Sequence, residues 1–259
     1  MSLLSLRSVE KVFGGLKALR GVSFEVPKGQ IFGLIGPNGA GKTTAFNVVT
    51  GVYCPDGGSV HFDGDDISGW RPARVAARGI ARTFQNIRVF RAMSVEENVL
   101  VAGQHLHKAS FIDTLLRDRR LLEDERGLRD KARELLKIMG LGEVANDAAG
   151  SLPYGSQRRL EIARALMLDP KLVLLDEPAA GMNSQEADEL KRQIRFLRDE
   201  LGLTVLLVEH NMSVVMGVCD RIHVVDHGET IAEGTPEEVR RHPRVLAAYL
   251  GQETDEARA

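Results

Sequence analysis

The densest chemistry in this chain lies in one run, Gly36-Pro37-Asn38-Gly39-Ala40-Gly41-Lys42-Thr43-Thr44. It fits G-x-x-x-x-G-K-[ST], a loop that wraps an anion in its own backbone N–H groups. Gly36, Gly39 and Gly41 let the backbone curl round a phosphate, and Asn38, Ala40 and Thr44 complete the cradle. A helix beginning near Lys42 turns its positive dipole end to the same point. The Lys42 ammonium suits the β- and γ-phosphates of a nucleotide, and the Thr43 hydroxyl is a hard oxygen ligand suited to Mg²⁺. Without nucleotide, Lys42 is expected to face mostly solvent, so that Lys42→Ala would cost under about 1 kcal/mol of stability.

Such a loop by itself leaves kinases, GTPases and ATPases open. The N-K-x-D motif by which guanine-specific enzymes read their base is absent. A second chemical segment lies far downstream, where the apolar run 172–175 ends in Asp176-Glu177-Pro178. An apolar strand ending in two carboxylates puts negative charge at the carboxyl edge of a sheet, where ligands of open α/β folds bind.

In their order, these segments resemble the ATP-binding-cassette ATPases, over nearly the whole chain. Leu172 to Pro178 looks like that family's Walker B segment. The resemblance implies that Asp176 holds Mg²⁺ and that Glu177 polarises the attacking water. Gln85, in Arg82-Thr83-Phe84-Gln85-Asn86, stands where the family has a glutamine that meets the metal and the water. His210, in Val208-Glu209-His210-Asn211-Met212, matches the switch histidine that bonds the γ-phosphate. Phe13 matches the aromatic that stacks on adenine, a contact worth roughly 1–3 kcal/mol.

The pattern departs from the family at its signature, Leu-Ser-Gly-Gly-Gln. Here the run is Leu152-Pro153-Tyr154-Gly155-Ser156, followed by a closely matching helix from Gln157 to Leu166. Pro153 lacks the hydroxyl that would bond the γ-phosphate held by a second subunit. The Gly155 N–H, the Ser156 N–H and hydroxyl, and the helix dipole could supply that contact instead. Ala179-Ala180-Gly181-Met182-Asn183 replaces the family's Ser-Ala-Leu-Asp, with Asn183 able to cap the next helix. The runs EPAAGMN, LPYGSQRRLEIARAL, RTFQNIRVF and HPRVLAAYLG resemble one branch, the larger ATPase subunit of bacterial branched-chain amino acid importers.

The elements that must position these residues alternate short apolar runs with helical patterns, which predicts an α/β fold with a mostly parallel sheet. Residues 31–35, 172–175, 204–208 and 222–225 read as its strands, and alternation over 3–9 and 59–62 predicts an antiparallel section. Ser94 with Glu97 forms a capping box opening a helix over 95–102, and Thr235 with Pro236 and Glu238 starts another. The charged stretch 117–133, interleaved with Leu115, Leu116, Leu121, Leu122 and Leu128, reads as a solvated helical face before a helix over 132–139. The expected organisation is a nucleotide-binding core of residues 1–86 and 169–235, an inserted helical subdomain 87–168, and a C-terminal helical tail 236–259 with a frayed polar end.

Bulk composition agrees with a globular chain of 259 residues, 43% hydrophobic and 27% charged. A net charge of −2 argues against a nucleic-acid sleeve. Two distant cysteines, Cys54 and Cys219, fit a reduced intracellular protein. No run approaches the roughly 18 apolar residues of a membrane span. The expectation is an ATPase on the cytoplasmic face of the inner membrane, paired with a second, related or identical cassette. It would drive transmembrane permease subunits, with a periplasmic binding protein acting indirectly. A lipid or lipopolysaccharide transport ATPase is the alternative with the same engine. A non-transport cassette ATPase is disfavoured by the single cassette and the lack of long coiled-coil insertions. Next to Gln85, the segment 86–93 sets Val89, Phe90 and Met93 among Arg88 and Arg91, the composition of a docking hot spot for the membrane partner.

Overall fold

The computed structural model describes residues 2–83, 85, 87–103 and 119–256, with only the backbone described over 119–123 and 250–256. Asn86, Leu115 and Leu116, and the side chains of Leu121 and Leu122, lie outside what is described. The chain divides into two compact units, one formed by Met1–Arg82 with Lys171–Ala259 and the other by Thr83–Pro170.

Among the described residues the first unit contains ten strands: β1 (Ser2–Phe13), β2 (Leu16–Pro27), β3 (Ile31–Ile35), β4 (Gly57–Phe62), β5 (Asp65–Asp66), β6 (Ile80–Arg82), β7 (Leu172–Asp176), β8 (Thr204–Val208), β9 (Arg221–Asp226) and β10 (Glu229–Gly234). They form a six-stranded sheet in the order β10-β9-β3-β8-β7-β6 and a four-stranded sheet in the order β2-β1-β4-β5. In the larger sheet only the β9–β10 pair is antiparallel. The three central strands β3, β8 and β7 are buried at every residue, as unbroken apolar runs in a sheet covered on both faces should be. The smaller sheet pairs antiparallel throughout. The expected α/β core with an antiparallel section is therefore the fold observed.

Helices α1 (Lys42–Val49) and α2 (Pro72–Arg78) belong to this unit. In the second unit lie α3 (Val95–Gly103), α4 (Arg119–Ile138) and α5 (Tyr154–Leu166). The first unit resumes with α6 (Ser184–Asp199), α7 (Met212–Val218), α8 (Pro236–Arg240) and α9 (Pro243–Glu256). In α6, Ala187, Leu190, Ile194 and Leu197 are buried at spacings of three and four, one helical face against the sheet. In the second unit, Val95 and Val99 of α3, Ala132 and Leu136 of α4, and Leu160 and Ala163 of α5 make an apolar interior.

Several elements differ from the sequence expectation. β2 and β10 were not expected, although Val22-Ser23-Phe24-Glu25-Val26 alternates as a strand should, and His227 and Gly228, at φ 46° and 78°, make the tight hairpin turn before β10. β6 has three residues, too few for any period to register. α4 runs unbroken from Arg119 to Ile138, so the charged stretch read as a helical face and the helix expected over 132–139 are one element, with no proline to interrupt it. α9 continues to Glu256, further than a frayed tail implied.

Candidate functional site

Because β3, β8 and β7 are adjacent and parallel, the loops after their carboxyl ends leave from one edge of the sheet. Leu34 pairs in register with Val208, and Val208 with Asp176. The loop after β3 is the glycine run, the residue after β7 is Glu177, and the residues after β8 are Glu209 and His210. Sheet topology thus gathers three segments, of which the glycine run lies well over a hundred residues from the other two.

The glycine run is locally obligatory. Gly36 has φ 153°, and a Cβ there would stand 2.0 Å from the Val225 carbonyl oxygen. Gly41, at φ 102°, caps the start of α1, and its Cβ would come within 2.6 Å of the Ala18 carbonyl oxygen. Asn38, Gly39 and Thr43 are exposed, while Ala40 is buried with its carbonyl accepting from Gly228 N–H at 3.0 Å. Lys42 corrects the expectation of a solvent-facing lysine: it is only 5% exposed. Its Nζ folds back and donates to the Gly36 and Pro37 carbonyls at 2.6 and 2.8 Å. Burial lowers its pKa, opposed by the negative charges of Glu177 and Asp176. That ammonium is a group a phosphate would accept from, and the glycines let the backbone curl round an anion, so the loop fits one.

Asp176 is buried, and its Oδ2 accepts from Arg82 Nη2 at 2.8 Å. Arg82 in turn donates from Nη1 to Asn47 Oδ1 at 2.6 Å and to Thr50 Oγ1 at 3.3 Å, both on or next to α1. The pair therefore ties β6, β7 and α1 together around the carboxylate. A carboxylate at Asp176 and a hydroxyl at Thr43 are all-oxygen donors of the hard kind Mg²⁺ prefers. Glu177 adopts φ 48°, uncommon for a residue with a Cβ, and its N–H donates to the Val208 carbonyl at 2.8 Å. Its Oε1 meets His210 Nε2 at 2.5 Å. Phe13 ends β1 and is 40% exposed, with the Tyr53 ring edge-on at 5.1 Å. Asn183 caps α6 in a full capping box with Glu186.

The remaining candidates belong to the second unit. Gln85 is exposed, and its carbonyl accepts from Arg158. α5 starts at Tyr154 with Pro153 as its N-cap and no side-chain cap bond. Gly155 is buried, and the Ser156 hydroxyl accepts from Arg159 Nη2 at 2.9 Å. Arg82, Tyr53 and Glu209 were not singled out from sequence. No local motif marks them, since each is defined by a partner distant in the chain.

Comparison with known proteins agrees with this geometry. A family described as ABC transporter matches residues 19–180, and one described as branched-chain amino acid ATP-binding cassette transporter matches residues 229–255. The chain is 46% identical to the high-affinity branched-chain amino acid transport ATP-binding protein BraF of Pseudomonas aeruginosa, covering 96% of this chain and 98% of that one. The solved ADP conformation of an ATP-binding cassette of an ABC transporter superposes with a TM-score of 0.85 at 35% identity, covering 97% and 99% of the two chains. A dimeric cassette in a post-hydrolysis state, bound to ADP and Pi, gives 0.75 at 25% identity, over 90% and 98%. With both family segments matched and one relative aligned almost end to end, the chain belongs to the ATP-binding subunits of the ABC transporter family, in their branched-chain amino acid branch.

Proposed function

We propose that this chain hydrolyses ATP to drive a branched-chain amino acid importer, with its catalytic carboxylate at Glu177 and its switch histidine at His210. The observation that carries the reading is the convergence of Lys42, Asp176, Glu177 and His210 at one edge of three adjacent parallel strands. Gly36, Asn38, Gly39, Ala40, Gly41 and Thr44 cradle the phosphates with backbone and side-chain donors, and Lys42 supplies the charge. Thr43, Asp176 and Gln85 would hold Mg²⁺, which supplies charge neutralisation at the phosphates. Glu177 orients and polarises the attacking water, and the imidazole of His210 holds both that carboxylate and the γ-phosphate oxygens. Phe13 offers an exposed ring to adenine.

In this reading two cassettes pair head to tail, so that Gly155 and Ser156 of one chain face the phosphates bound by the other. The second cassette is either a copy of this chain or a relative. The pair sits on the cytoplasmic face of the inner membrane against the permease subunits, and a periplasmic binding protein delivers the amino acid. None of the described helices is long and apolar enough to cross a membrane, which fits a motor held there by its partners.

The test is Glu177→Gln in the transporter assembled from its own permease and placed in vesicles. The variant should bind Mg-ATP as wild type does but hydrolyse it at least about 100-fold more slowly. Uptake of leucine, isoleucine and valine should fall with it. Normal turnover would remove Glu177 from the chemistry, and normal turnover without uptake of any of the three would remove the importer assignment.

A further inference from the structure

Glu209, the residue before His210, has no part in the roles above, yet its carboxylate is buried and accepts three backbone hydrogen bonds. Oε2 takes the His210 and Asn211 N–H groups at 2.9 and 3.0 Å. Oε1 takes the N–H of Ala179 at 2.6 Å, two residues beyond Glu177 and 30 positions away in the chain. Capping of α7 does not require this. Asn211 already caps that helix, its side chain accepting from Ser213 and Val214 at 3.0 and 3.4 Å. What the second carboxylate oxygen adds is a bridge between two loops.

We propose that Glu209 is a positioning residue whose carboxylate clamps the loop carrying Glu177 to the loop carrying His210, and so sets the contact between those two side chains. This rests on the reading of Glu177 and His210 as the catalytic pair. The need for a clamp is local. Glu177 sits at φ 48°, a conformation that persists only where its surroundings hold it. Its own N–H is fixed to Val208, at the end of β8, and Glu209 fixes the far side of the same turn through Ala179. A carboxylate is suited to the task because both oxygens accept and its charge strengthens each bond. A glutamine of the same shape has one acceptor, and its NH₂ would confront an N–H on one of the two loops.

The experiment compares Glu209→Gln, His210→Ala and the double variant in the full chain assembled with its transporter partners. Expected for Glu209→Gln are an ATP Kd within about 2-fold of wild type and a kcat lowered by about 10-fold or more. The double variant should be little slower than His210→Ala alone, since Glu209 acts through that side chain. Wild-type kcat in Glu209→Gln, or a loss seen only in melting temperature, overturns the proposal. Full multiplication of the two losses overturns it too. If Glu209→Gln is slow but His210→Ala turns over normally, the reading of His210 has failed and the proposal falls with it. Independently of any variant, amide hydrogen exchange of the wild-type chain should show Ala179, His210 and Asn211 protected together. Ala179 exchanging at the rate of an open loop would overturn the clamp even if Glu209→Gln does not fold.

Discussion

His210 Nε2 stands 2.5 Å from Glu177 Oε1, joining the ends of two adjacent parallel strands through their side chains. The two residues hold one another, and neither can be moved without releasing the other. Residues that act as a unit give non-additive losses. The combination of His210→Ala with Glu177→Gln should therefore reduce turnover by about as much as the more damaging single change, within roughly 3-fold. Steady-state ATPase rates of the four proteins decide the matter, and independent multiplication would mean that the contact has no catalytic role.

Lys42→Ala should do two things at once. It removes the charge meant for the phosphates, so calorimetry should find no tight ATP binding. It also strips hydrogen bonds from the Gly36 and Pro37 carbonyls, which the buried ammonium satisfies at 2.6 and 2.8 Å. Chemical denaturation should show a loss of about 1–2 kcal/mol, more than a solvent-facing lysine would cost, because buried acceptors are left unpaired. A change indistinguishable from zero would place the side chain in solvent after all.

Acid stability should depend on Glu233. Its hydrogen bond from His223, and then that from Arg221, hold its carboxyl below the usual 4.5 despite partial burial. A folded-state pKa below the unfolded one means the contribution is fully present above the unfolded value and is lost as pH falls through the folded one. Wild type should melt above Glu233→Gln at neutral pH, and the gap should close as the pH drops below about 4.5. A gap that stays constant to pH 3 would show that the carboxylate charge contributes nothing.

Phe90 is 45% exposed, with the Arg164 guanidinium 5.1 Å from its ring centroid. The backbone around it is held by buried Asn98, which accepts from Phe90 N–H and donates to the Phe90 and Ser94 carbonyls. An exposed aromatic on a pinned loop is the form of a docking anchor. Phe90→Asp should leave ATP affinity and melting temperature unchanged but reduce amino acid uptake per ATP hydrolysed by about 10-fold or more, as loss of a hot-spot anchor would. Unaltered coupling in vesicles would put the permease contact elsewhere.

What the sequence by itself determined is what depends on neighbours in the chain. The phosphate loop is legible because three glycines, a lysine and a threonine must follow one another to curl the backbone, and the left-handed angles at Gly39 and Gly41 follow from that. The capping boxes at Ser94 and Thr235, and the capping role of Asn183, are equally local. Unbroken apolar runs at β3, β7 and β8 announced strands buried on both faces, hence an α/β core. The tertiary structure alone decided which groups meet. Arg82 reaches Asp176 across 94 residues, Glu209 reaches Ala179 across 30, and no periodicity encodes either distance. It also decided that Lys42 is buried, since whether an ammonium points to water or to carbonyls depends on how the loop closes round it. Spacing along a chain fixes local backbone geometry, whereas burial and long-range charge pairing exist only once the sheet has assembled.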